Sequence, residues 1–375
     1  MLAPAHYWLV PEAEALADRL AELRRQRKQR RQAKKPAPKP WVPVAHANSA
    51  KQQRQRVRRR RVPNDAPRST NTPAKFERAL AKALAAMPPA PYASYAPKVP
   101  DWSTLPLEVD VACELGGGAL PEGRRPRKRE QLANMLSLLG DLVRPGDVVA
   151  DFCSGLGHQT LPLAFLRRDV SFVLVDRNPF GLGVAARRCE TLGMANVRTF
   201  HGTVRDFKDR FDVGVALHAC GAATDDVLDA CVRVRAAFVV APCCVGGVAA
   251  AKVWRDVVPG AGDRPYPRSC LLRDVISTAE YAALARSADT NADGRDLDDK
   301  APRDMGRRRL CKTIVETDRL RRATEGGGYD GRLVLMEPLA CTPKNDIIVG
   351  WRDDDERRGA FLAAAVPREK PPWVP

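Results

Sequence analysis

Residues 147–152, DVVADF, read as a strand covered on both faces. They run directly into Cys153-Ser154-Gly155-Leu156-Gly157 and then into a helix over 158–167. A strand that feeds a helix through a glycine turn commits the chain to a crossover, and repeated crossovers build a parallel sheet. The pattern continues with SFVLVD at 171–176, a helix over 180–192 and a strand over about 196–200. FDVGVAL at 211–217, a helix over 224–234 and AAFVVAP at 236–242 follow. Residues 245–305 read as a long irregular insertion, and a helix over 307–325 stops at Gly326-Gly327-Gly328, a sound C-terminal signal. RLVLME at 332–337 and DIIVGW at 346–351 complete seven strands. Their short connection predicts antiparallel neighbours.

The 375 residues carry a formal charge of +17, and 24–61 alone hold sixteen Lys and Arg with no Asp or Glu. The remainder is therefore near neutral, and the basicity belongs to a segment rather than to the fold. Glu12 to Arg31 suits one amphipathic helix. Prolines 36, 38, 40 and 43, QQRQRVRRRR and PNDAPRSTNTP leave 32–73 with too little apolar surface to offset ordering, so it reads as disordered. Residues 75–87 suit a short helix and PPAPYASYAPKVP a linker. The resulting division is a basic, Pro-rich arm over 1–100, a globular domain over 101–352 and a flexible tail over 353–375. The arm could hold RNA phosphates, and it also matches nuclear-localisation patches. No uncharged apolar run approaches the roughly 20 residues of a membrane helix, so a membrane partner is not expected. The N-terminus has no basic stretch before an apolar one, and Glu12, Glu14 and Asp18 argue against a transit peptide. Ten cysteines without a CxxC pair suit a reducing compartment, cytoplasmic with the nucleus as the alternative.

Three constellations can carry chemistry. The first is Asp151-Phe-Cys153-Ser-Gly155-Leu-Gly157 with Asp176-Arg177 at the end of the next strand, 19 residues beyond Gly157. Glycines let the backbone approach a ligand, the helix start favours an anion, and an acid at that offset suits a ribose. A dinucleotide fingerprint needs a third glycine where Thr160 stands, and Asp151 is ill placed for a pyrophosphate. An acid there suits a ligand with an ammonium and a sulfonium, as in S-adenosyl-L-methionine. The second is His218-Ala-Cys220-Gly221-Ala-Ala-Thr224-Asp225. His218 reads as a general base or a hydrogen-bonded loop histidine, and Thr224 or Asp225 as a helix cap or a substrate contact. The third is Pro242-Cys243-Cys244, a site wall, with a metal half-site, a redox pair or a nucleophile as alternatives. Two adjacent thiols make no zinc set, and no metal is expected. Asp289-Thr-Asn-Ala-Asp-Gly294 opens like a calcium loop, but Lys300 stands where the bidentate Glu belongs.

DFCSGLGHQTLPLAF, FDVGVALHACGAATDDVLDACVRVRAAFVVAPCC and MEPLACTPKNDIIVG together resemble the methyltransferase domain found in glutathione S-transferase C-terminal domain-containing proteins. LHACGAATD and APCC are more distantly similar to a tRNA 2′-O-methyltransferase family. The resemblance covers about 125–352 and does not extend to the glutathione-transferase region. It implies an α/β, Rossmann-like, seven-stranded, mostly parallel sheet that binds S-adenosylmethionine. It places Asp151, Cys153, Gly155 and Gly157 at the methionine end, Asp176 and Arg177 at the ribose, and Thr203 and Val204 at the adenine. It also turns the loop of His218, Cys220 and Asp225, with Cys243 beside it, toward the transferable methyl as the catalytic candidates. An RNA acceptor, tRNA among them, is the expectation. A protein or small-molecule acceptor, or a non-catalytic scaffold, is the alternative.

Overall fold

The structure, a computed structural model, describes residues 73–288 and 302–367 apart from 91, 114–115, 117–119, 249–263 and 343. The chain divides into the units Met1–Asn71 and Thr72–Pro375, and every described residue belongs to the second. The expected helix over 12–31, the disordered stretch as far as 72 and the acidic loop at 289–301 lie outside the described residues.

The seven expected strands form one sheet, with two short additions. In chain order they are β1 (Tyr92–Ser94), β2 (Val148–Phe152), β3 (Ser171–Asp176), β4 (Val197–His201), β5 (Val213–Ala216), β6 (Ala237–Val240), β7 (Tyr329–Leu335), β8 (Asp346–Arg352) and β9 (Val366–Pro367). Their order across the sheet is β4-β3-β2-β5-β6-β8-β7-β1-β9. β2 pairs parallel with β3 on one side and β5 on the other, so the winding reverses between β2 and β5. Ligands bind at the carboxyl ends of strands at such a reversal. β8 returns antiparallel between β6 and β7, as the short connection foretold.

The helices that cover this sheet are α1 (Pro73–Ala86), α2 (Arg125–Leu142), α3 (Thr160–Leu166), α4 (Pro179–Thr191), α5 (Ala222–Val234), α6 (Cys270–Arg273), α7 (Thr278–Ala288), α8 (Pro302–Thr324) and α9 (Arg357–Ala364). Every residue of β5 and β6 is buried, because a parallel sheet with helices on both faces leaves no solvent side. Phe207 and Phe211 meet Phe152 edge-on at centroid distances of 5.8 and 5.4 Å, closing the core under β2.

Three sequence-based boundaries move. The globular unit starts at 72 rather than 101: α1 buries Leu80 and Ala83 in a cluster with Tyr281 and Leu284 of α7, and Tyr92 and Tyr95 are buried. Its prolines lie outside the three residues of β1, which pairs parallel with β7, so the segment is a strand and no linker. The tail is anchored too. Phe361 of α9 is 1% exposed, stacks on Tyr95 at 6.0 Å and meets Trp351 at 4.6 Å, while Arg357 pairs with Asp147. Within the expected irregular insertion, α6 and α7 are ordered helices with Leu272, Tyr281 and Leu284 buried. The mixed Gly, Pro and Arg content of these segments hid a few well-spaced apolar anchors.

A buried ion cluster fixes the start of α5. Asp225 is 1% exposed and takes Arg319 Nε of α8 at 3.2 Å and Arg268 Nε at 3.4 Å. The Tyr266 hydroxyl donates to it at 2.8 Å. Burial opposes the charge, but Arg319 and Arg268 outweigh it and hold the carboxyl below its ordinary pKa. Asp225 thus belongs to the framework and does not face a ligand, which corrects its placement among the catalytic residues. Removing one partner of a buried pair strands the other charge. Asp225→Ala is expected to lower unfolding free energy by about 3–5 kcal/mol in urea denaturation, and an unchanged midpoint would contradict the structural role.

Candidate active site

The turn after β2 is built from conformations that few side chains tolerate. Gly155 and Gly157 have φ of +56° and +72°, and Cys153 adopts φ +56° despite its side chain. A Cβ on Gly157 would press on Leu161 and Leu174 at 3.0 and 3.1 Å, whereas one on Gly155 would meet nothing within 4 Å. Gly157 therefore serves packing, and Gly155 borders open space. At the tip of β3 the Asp176 carboxylate accepts from the Gly155 N–H at 2.8 Å and the Asn178 N–H at 2.7 Å. Those bonds aim it across the turn and leave lone pairs for further donors. The amides of Gly155 and Gly157 are both spent within the turn, on Asp176 and on the Ser154 carbonyl, so they do not serve an anion as expected.

Asp151 is 2% exposed and accepts from the Thr160 hydroxyl at 2.6 Å. Burial pushes its pKa up to about 7 against the Thr160 bond, and the nearby Asp176 adds to the rise. Thr160, which breaks a dinucleotide fingerprint, is here the partner of that acid. Ser154 Oγ and both amide atoms of Gln159 are buried without a hydrogen-bond partner. Two acids within electrostatic reach, open space at Gly155 and unsatisfied polar atoms suit a cationic, polar nucleoside such as S-adenosylmethionine.

The remaining cofactor candidates are placed less uniformly. Cys153 is half-buried beneath the turn, its thiol pushed up to about 12 by burial and then by Asp176, Asp151 and Cys220. Arg177 is exposed. Thr203 caps its own turn, its N–H and hydroxyl both donating to Asp206 at 2.8 and 2.7 Å. Val204 is 7% exposed and packs in the core with Phe207.

The wall across the reversal is made by the loops after β5 and β6. Gly221 has φ +59° and ψ −124°, a conformation essentially reserved for glycine. Its N–H donates to the Cys244 carbonyl at 2.7 Å, and its own carbonyl accepts from Arg319 at 2.8 Å. A Cβ there would meet the Gly247 backbone at 3.2 Å. This close approach gathers three thiols. Cys220 Sγ lies 3.1 Å from Cys243 Sγ, which lies 3.7 Å from Cys244 Sγ. Lys344 Nζ stands 3.4 Å from Cys244 Sγ. Burial and the neighbouring thiols drive the Cys243 thiol far above its ordinary pKa, the Cys220 contact first.

His218 Nε2 lies 2.8 Å from Nζ of Lys128, which reaches in from α2. The surrounding protein and then Lys128, His158 and Lys344 push the imidazole down to about 3, because a second cation is unwelcome there. Lys128 itself is lowered to about 8, chiefly by burial. Thr224 donates its hydroxyl to the Ala219 carbonyl at 2.6 Å and is fully buried, so it braces the loop. The sequence reading named His218, Cys220 and Cys243, and the structure brings Cys220 Sγ within 3.1 Å of Cys243 Sγ and 3.5 Å of the His218 carbonyl. That reading missed Lys128 and Lys344, whose lysines carry no local signal because only the tertiary fold brings them to the cleft.

Comparison with known proteins follows the same lines. Residues 127–251 match the family described as a methyltransferase domain. The glutathione S-transferase C-terminal domain-containing protein of Xenopus laevis is 35% identical over 250 residues, 67% of this chain and 38% of that protein. Its human counterpart is 33% identical over the same length, 67% of this chain and 36% of that protein. A ribosomal RNA small subunit methyltransferase G of Porphyromonas gingivalis is 41% identical over 69 residues, 18% of this chain and 31% of that protein. The chain therefore spans under two-fifths of the first two relatives. The match over residues 127–251 is to a methyltransferase domain, for which S-adenosylmethionine is the cofactor. Among the described residues no helix is long and apolar enough to cross a membrane.

The raised Asp151 carboxyl makes stability pH-dependent. An unfolded carboxyl ionises near about 4, whereas the folded one holds its proton to about 7. The stability it contributes is full below the unfolded value and is lost as pH rises through the folded one. Asparagine keeps the shape and the Thr160 bond but never ionises. Asp151→Asn is expected to match wild type in thermal unfolding at about pH 4 and to exceed it increasingly toward about pH 8. A difference that does not vary with pH would contradict the buried, protonated acid.

Proposed function

We propose that the protein transfers the methyl group of S-adenosylmethionine to RNA. The observation that carries the RNA reading is the charge at the mouth of the cleft. Arg124, at the N-cap, and Arg125, Arg127, Lys128 and Arg129 crowd the start of α2, where the helix dipole disfavours cations, and its first turn has no acid. Arg129 is neutralised by Asp110. Arg124 and Arg127 are exposed, and Lys128 points into the cleft beside His218. Cations kept against the local field suit a polyanion, whose phosphates repay the placement. The sixteen basic residues at 24–61 extend the same sign of charge along the chain. The resemblance to a ribosomal RNA methyltransferase over 69 residues agrees with this class of acceptor.

The cofactor supplies a methyl on a sulfonium, already activated for in-line displacement. The chain's part is alignment, which is worth several kcal/mol when both reactants are held at near-contact distance. Asp151 would hold the ammonium and Asp176 the ribose hydroxyls. The loop fastened by Gly221 then sets the acceptor side. His218, whose Nε2 meets Lys128 Nζ, would orient a hydroxyl acceptor on that side.

Incubating the full chain with methyl-labelled S-adenosylmethionine and either total RNA or total protein tests this directly. Label is expected in RNA and is expected to fall at least tenfold in His218→Ala. Label in protein alone would overturn the RNA reading. RNA affinity should also fall steeply with salt, as each neutralised phosphate releases counterion. Replacing Arg58, Arg59, Arg60 and Arg61 by alanine should flatten that slope in fluorescence anisotropy, and an unchanged slope would exclude the arm.

A further inference from the structure

We propose that Cys220, Cys243 and Cys244 form a zinc site with three thiolate ligands and a fourth position open to the cleft. The three sulfur atoms all lie within 4.8 Å of one another, and among the described residues they are the one group of His, Cys, Asp or Glu side chains gathered this tightly. Tetrahedral zinc with Zn–S bonds of about 2.3 Å spaces its sulfurs about 3.8 Å apart. Two of the separations are 3.1 and 3.7 Å, so seating an ion needs side-chain shifts of tenths of an ångström.

The set is assembled by the fold rather than by spacing along the chain. Cys220 comes from the loop after β5, and Cys243 and Cys244 from the loop after β6. The Gly221 N–H to Cys244 carbonyl bond locks the two loops together. The surroundings suit the charge as well. Each ligating thiol gives its proton to solvent, so three thiolates and one divalent ion carry a net charge of −1. Lys344 Nζ lies 3.4 Å from Cys244 Sγ, and that ammonium group balances an anionic centre.

Cys220 is exposed while Cys243 and Cys244 are half-buried, so the ion has a path in and one free side. Three protein ligands with an open position mark zinc sites that bind a reactant, whereas structural sites close with four. The open side takes a soft nitrogen or sulfur donor. This inference stands on the thiols alone and needs neither the cofactor nor RNA.

The test uses the full chain, reduced and freed of metal with a chelator, and titrated with Co²⁺ as a spectroscopic stand-in. The expected result is a saturable sulfur-to-cobalt charge-transfer band with tetrahedral visible bands at one ion per chain, abolished by equimolar Zn²⁺. Cys220→Ser, at an exposed position, and Cys243→Ser should each weaken cobalt binding at least tenfold. Cys270→Ser, on an exposed thiol elsewhere, should leave it unchanged. Circular dichroism of each variant separates lost ligation from lost fold. No charge-transfer band at saturating cobalt, or an equal band in the Cys220→Ser/Cys243→Ser double variant, would overturn the site. So would an oxidant-formed Cys220–Cys243 disulfide in a protein that takes no cobalt, which would make the pair a redox couple.

Discussion

The two backbone polar groups of one residue, Gly221, hold the cleft together. The Gly221 N–H is given to the loop after β6 and its carbonyl is held by Arg319 of α8. Only glycine adopts that backbone conformation at low cost, and only a residue without Cβ lets the Gly247 backbone come so close. From this stitch follow the start of α5, the wall carrying His218 and the meeting of three thiols from two strand ends. Arg319 can serve because Asp225 balances it in the interior, so the framework charge and the loop geometry are one device.

The electrostatics of the cleft divide along the sheet. On the β2–β3 side stand Asp151 and Asp176, the first kept uncharged by burial until about pH 7. On the β5–β6 side stand Lys128, Lys344 and a histidine kept neutral first by desolvation and then by those cations. A ligand with a positive centre on one side and an anionic acceptor on the other complements both halves.

The parallel core was legible in the sequence because buried strands and glycine turns are local signals. DVVADF, SFVLVD, FDVGVAL and AAFVVAP each fall on β2, β3, β5 or β6, and the antiparallel return of β8 follows from a short connection. The acids at 151 and 176 and the loop of His218 and Cys220 could be named for the same reason. What could not be read was tertiary. α2 was not recognised because it opens with four basic residues and a proline, which read as charge rather than as the start of a buried helix. Lys128 and Lys344 enter the cleft from segments far apart in the chain. Asp225 looks like a cap at a site mouth and is turned inward by Arg319 and Arg268, two partners that local spacing does not reveal. The anchoring of 73–100 and 357–364 rests on a few residues, among them Tyr92, Tyr95 and Phe361, whose apolar weight is diluted by their neighbours.

The whole account depends on the reversal between β2 and β5 being shaped for a cationic nucleoside. Isothermal titration of the full chain with S-adenosylmethionine addresses this most directly. One saturable site is expected, with affinity at least tenfold weaker in Asp176→Ala while the variant's unfolding transition stays near that of wild type. Absence of binding to the folded wild-type chain, or equal affinity in the variant, would contradict it.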